Sequence, residues 1–155
     1  MYIGLLHLHN LLRWILLLLL VIALFRHLSG MMSKRPINAG DRKIDLFLMI
    51  SAHITLVIGL YQWIVGGFGL KSFQNNGFSA VMKDDRLRFW AVEHIFGMLL
   101  AIVLITVGRG AVKRSADAGV HKKAFWFFLL ALIIILATVP WPGRAGIGRP
   151  MFPGM

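Results

Sequence analysis

Residues 1–25 read MYIGLLHLHNLLRWILLLLLVIALF. Leu, Ile, Val, Ala and Phe dominate it, and about 20 such residues in a helix cross a hydrocarbon core about 30 Å thick. The stretch predicts a membrane-spanning helix. Its first half breaks the apolar pattern with His7, His9, Asn10 and Arg13. Ionisable groups are costly inside a membrane, so a helix that carries several of them marks a functional site. A cleaved leader is not the expectation. The stretch has no cation ahead of it, is long for a signal core and is followed by no small-x-small cleavage site, so it reads as a retained helix.

Working outward, further apolar runs lie at 44–65, 89–107 and 124–139, with the first span at 3–25. The expected fold class is therefore an all-α integral membrane protein, a four-transmembrane-helix bundle. It forms one domain over residues 1–139, followed by a Pro/Gly-rich tail over 140–155. The chain has 155 residues, 58% of them hydrophobic, which leaves no room for a soluble domain beside the spans. Cysteine is absent, so disulfides, thiolate metal sites and CxxCH haem attachment are excluded. No Walker loop, Rossmann fingerprint, HExxH or GxSxG motif is readable. Participation in catalysis would be as an electron carrier or as one subunit among several.

The net charge of +11 reads as topology, not as a nucleic-acid surface. Arg26, Lys34, Arg35, Arg42 and Lys43 lie in the first loop, and Arg109, Lys113, Arg114, Lys122 and Lys123 in the third. Those ten cations face six on the other side, where Asp84 and Asp85 offset two. The positive-inside rule then makes the first and third loops cytoplasmic and puts both termini outside, which for a bacterial inner membrane is the periplasm. Residues 66–77 (GGFGLKSFQNNG) read as irregular and interfacial through Phe68 and Phe73. KDDRLRFW at 83–90 reads as a helix start capped by Asp84 or Asp85, with Trp90 as anchor. The tail reads as disordered, with a docking arm as the other possibility.

At a rise of about 1.5 Å per residue, His7 and His9 lie roughly 6–9 Å from the outer face and Arg13 about 15 Å. Glu93 and His94 on the third span lie at roughly 6–8 Å, and His53 on the second at about 18 Å. His27 and His121 fall at the cytoplasmic boundary and read as interfacial. At about 100° per residue, His7, His9, Asn10, Arg13 and Trp14 share an arc of roughly 160°, with His7 and His9 near its opposite ends. His94, Gly97 and Ala101 form a stripe on the third span, which reads either as clearance for a flat ligand or as close helix packing. Ala52, Thr55, Gly59 and Gly66 form a second small stripe, turned away from His53.

Imidazoles at matched depth on different helices fit a bis-histidine haem b, with iron bound from both sides. His7 with His94 and His9 with His94 are both feasible pairs. Arg13, Arg86 or Arg88 would serve the propionates, and Glu93, Asn10 or a backbone carbonyl would orient a ligand. The segments LHLHNLLRW (6–14), SAHITLVIG (51–59), VEHIFGM (92–98) and PWP (140–142) resemble small bacterial four-helix membrane proteins grouped loosely with b-type cytochromes. That resemblance implies haem b, electron transfer in a respiratory-type chain and exchange with quinone, with His7 or His9, His53 and His94 as candidate ligands.

Two other readings stand beside this one. Arg13 pairing with Glu93, His53 donating to a carbonyl and His7 meeting interfacial water would describe a haem-free accessory subunit of a larger membrane complex, or a homo-oligomer. Glu93, Arg13 and the histidines, with Met98 beside His94, would also suit a proton or metal-ion transporter.

Overall fold

Four helices long and apolar enough to cross a membrane carry the chain, and the computed structural model describes residues 2–152. In order these are α1 (Tyr2–Met32), α2 (Ala39–Val65), α3 (Leu70–Lys83), α4 (Asp85–Arg88), a π-helical turn (Phe89–Glu93), α5 (His94–Arg114) and α6 (Val120–Thr138). α4, the π turn and α5 run on without a break as the third span, Asp85–Arg114. The helices close into a ring in which α1 and α5 each lie against both α2 and α6. α1 and α5 therefore stand on a diagonal.

The interior follows one stripe per helix. Leu16, Leu20, Ala23 and His27 on α1 recur at three- and four-residue spacing, as do Asp45, Leu48 and Ala52 on α2 and His121, Ala124, Phe128, Ala131 and Ile135 on α6. Alanine and glycine at the centre let the backbones approach, which is how helices associate where lipid removes the hydrophobic driving force. Gly108 of α5 is one such contact. A Cβ there would stand 2.7 Å from Cε1 of Phe128, whose ring is fully buried and has nowhere to move. Gly108→Ala should cost about 1–3 kcal/mol, read as a shift in the denaturant midpoint of the detergent-solubilised chain. The outward faces carry Leu18, Phe25, Val57, Phe96, Val103 and Ile133, all exposed, as a lipid-facing surface must be.

The loop end of the bundle is fastened by ion pairs. Asn38 opens α2 with a capping box: its side chain accepts from the Asp41 amide at 3.0 Å, and its own amide donates to Asp41 Oδ2 at 3.0 Å. Arg35 grips both Asp41 oxygens at 2.6 and 2.9 Å, and Arg26 adds a bond at 2.9 Å. Arg42 donates to the Lys113 and Ser115 carbonyls, which ties α2 to the end of α5.

At the terminal end, residues 66–77 are not irregular throughout. α3 begins at Leu70, Phe73 stacks on Phe78 at 6.0 Å, and the chain bends at Gly77, where φ is +77°. Asn76 satisfies its amide on the Ser72 carbonyl within the helix, so its turn preference is met without a loop. Of the two aspartates expected to cap the next helix, Asp84 does so, accepting from the Leu87 amide at 2.8 Å.

Candidate functional site

The polar arc of α1 and the start of α5 meet across the diagonal at the terminal end. His9 and His94 face each other with ring centroids 6.5 Å apart and planes at 66°. His94 is the first residue after the π turn. Such a turn adds a residue to the helical register and recurs at functional sites. Here it brings Phe89 and Trp90 against the His94 ring at 5.9 and 5.7 Å, while Trp63 of α2 donates to the Ala91 carbonyl at 2.9 Å.

His94 is held in one tautomer. Its Nδ1 lies 2.8 Å from the carbonyl oxygen of Thr138 on α6, and a carbonyl only accepts, so Nδ1 carries the hydrogen and donates it. Nε2 is left as the free lone pair. This is how a metal-binding histidine is oriented, through its other nitrogen. Gly97 makes the contact possible, because a Cβ there would collide with the Thr138 side chain and push α6 away. His9 packs its ring against Gly59 of α2, where a Cβ would stand 3.1 Å from Cε1. Its Nδ1 is buried and has no hydrogen-bond partner among the described residues.

Arg13 and Asn10 sit beside the pair but are turned to the tail. Arg13 donates to Asn10 Oδ1 at 2.6 Å and to the Met151 carbonyl at 2.7 Å, while Trp14 donates to the same carbonyl at 2.8 Å. Trp14 also stacks on Phe152 at 5.6 Å, with planes 22° apart. The expectation of a disordered tail is therefore corrected over the described part, 140–152. Gly146 at φ +70° turns the chain, the Arg149 amide donates to the Pro140 carbonyl at 3.0 Å, and Arg144 and Arg149 lie over Phe89 and Trp90. Proline and glycine forbid helix here, yet the arginines and aromatics supply the contacts that order it. Trp14→Ala removes the stacking and one carbonyl bond, so trypsin should cleave after Arg144 about tenfold faster or more, read by mass spectrometry of the released peptide.

The other expected site residues lie elsewhere. His7 is exposed on the outside of α1. His53 is exposed on α2, its Nδ1 donating to the Met49 carbonyl one turn earlier at 2.8 Å. Glu93 is bonded by Arg88 Nε at 2.7 Å and not by Arg13. Of the partners expected to orient His94, the backbone carbonyl is the one in place.

A second polar cluster lies at the loop end, where His27 and His121 were expected at the interface. Both are fully buried. Their Nδ1 atoms stand 2.9 Å apart, and His27 Nε2 lies 3.1 and 3.2 Å from the two oxygens of Asp45, itself 1% exposed. Depth from the helix ends misplaced them, because burial is decided by angle. His27 continues the stripe Leu16, Leu20, Ala23, and His121 opens the stripe of Ala124 and Phe128.

No protein family, curated protein or solved structure matches the chain.

Proposed function

We propose that this chain binds one haem b between His9 and His94 and carries electrons in a respiratory-type membrane chain. The supporting observation is the pair of imidazoles facing each other across the diagonal. His9 and His94 would hold the iron between them, since two imidazoles sharing one metal ion at about 2 Å each, with about 1 Å more to the ring centre, would have centroids about 6 Å apart. The separation here is 6.5 Å. The fit extends to the nitrogens: His94 offers Nε2 with Nδ1 anchored, and His9 has a buried nitrogen without a partner.

When bound, haem supplies one-electron chemistry at the iron. The chain's residues bind and shield it. Arg13 is a cation acting on both imidazoles and provides a half-buried counter-charge, with Asn10 bonded to it. Glu93, paired to Arg88, sits at the rim, and Gly97 keeps Thr138 within reach of His94. The tail and Trp14 exclude water. In this reading the haem lies at the periplasmic side of a bacterial inner membrane, on the charge asymmetry of the loops, and exchanges electrons with a lipid-soluble carrier of the quinone class or with a neighbouring membrane subunit.

The test is the visible spectrum of the detergent-purified chain from haem-replete cells, oxidised and dithionite-reduced, with haem quantified per chain. Sharp reduced bands at one haem per chain are expected. A colourless chain would overturn the proposal and leave a haem-free subunit of a larger membrane complex as the reading.

A further inference from the structure

We propose that Asp45, His27 and His121 form a proton-exchange site at the loop end of the bundle, in which a proton bound at His121 neutralises Asp45. The three come from α2, α1 and α6, and none is more than 1% exposed. Buried ionisable groups joined in a chain across membrane helices mark proton relays. This site lies at the opposite end of α1 from His9 and stands independently of haem binding.

Hydrogen accounting gives the site its chemistry. A carboxylate only accepts, so His27 Nε2 carries the hydrogen shared with Asp45. His27 Nδ1 is then a lone pair, and His121 Nδ1 donates to it across 2.9 Å. That leaves His121 Nε2 as a lone pair, buried, with no partner among the described residues. That nitrogen is the one open basic position of the chain, and it is where an incoming proton binds. On binding there, the Nδ1 proton of His121 moves to His27 Nδ1, and the Nε2 proton of His27 moves to Asp45. One proton has been gained, Asp45 is neutral, and every internal hydrogen bond is kept with its direction reversed.

Asp45 also has a path to water. It lines a crevice of about 30 Å³ with Arg42, Arg109, Val112 and Lys113, and that is room for a water molecule. Asp41, His27 and Arg109 are the charges acting on Asp45, and His27, Arg35 and Asp41 those acting on His121. Gly30 seats the His121 ring, since a Cβ there would collide with it.

The test uses the full chain in lipid, with or without haem. Infrared difference spectra between alkaline and acid samples should show a protonated-carboxyl band that is missing in Asp45→Asn. Imidazole ¹⁵N spectra of the same wild-type samples should show the protonated nitrogens of His27 and His121 exchanging at the same pH. His121→Gln should move the midpoint of the carboxyl band by about one pH unit or more, the mark of coupled sites. If that variant does not fold, the wild-type ¹⁵N spectra decide alone. An Asp45 that stays ionised, with both tautomers fixed wherever circular dichroism shows the bundle folded, would overturn the proposal, as would a band indifferent to His121→Gln.

Discussion

Replacing His94 with alanine should strip the chain of haem while leaving it helical and inserted in the membrane. Its imidazole is the better anchored of the proposed pair, with Nδ1 spent on the Thr138 carbonyl and Nε2 free. Removing a group that merely orients a metal ligand costs about 10–100-fold in affinity, so removing the ligand itself should lower retained haem by at least as much. His9→Ala should behave likewise. His7→Ala and His53→Ala should keep full haem, because both side chains are exposed and neither is turned to the pair. This set separates the pairings that depth along the chain left open. Pyridine haemochrome assay per mole of chain reads it directly, and retention of haem in His94→Ala would contradict the assignment.

Asp41→Ala should produce the largest loss of stability. One buried carboxylate holds Arg35 through both oxygens, takes a third bond from Arg26 and closes the capping box on Asn38. Charge-assisted bonds of this kind each contribute about 1.5–3 kcal/mol, and loss of a cap costs about 1 kcal/mol. The two guanidinium side chains are 34% and 28% exposed, so they regain part of their hydration when the carboxylate is gone. A net loss of about 2–4 kcal/mol follows, measured by denaturant titration of the detergent-solubilised chain. Asp41→Asn keeps an acceptor for the Asn38 amide and should lose about half as much. Haem content in both variants should match wild type, since Asp41 lies at the far end of the bundle from His9 and His94.

The four spans were legible because hydropathy alone sets them, and so was the polar arc of α1 that holds His7, His9, Asn10 and Arg13, which follows from angle along one helix. What escaped the sequence was what the helices do to one another. His27 and His121 look interfacial when depth is counted from the loops, yet their phase continues the stripes of Leu20, Ala23, Ala124 and Phe128 and carries them inside. Reading phase as well as depth would have found both. The choice between His7 and His9 depends on which neighbour each face meets, and the ring order of helices is not written in any one of them. The order in the tail rests on contacts more than a hundred residues apart in the chain, such as Trp14 with Met151, and proline and glycine count hid it. The helix at Leu70–Lys83 was obscured by Asn76, which bonds within it.

Electron paramagnetic resonance of the oxidised, purified wild-type chain tests the central claim most directly, because it reports the axial ligands of the iron. The expected result is a low-spin ferric signal of the bis-imidazole type, from one haem per chain, that is lost in both His9→Ala and His94→Ala. A high-spin signal, or a bis-imidazole signal that survives either substitution, would contradict it.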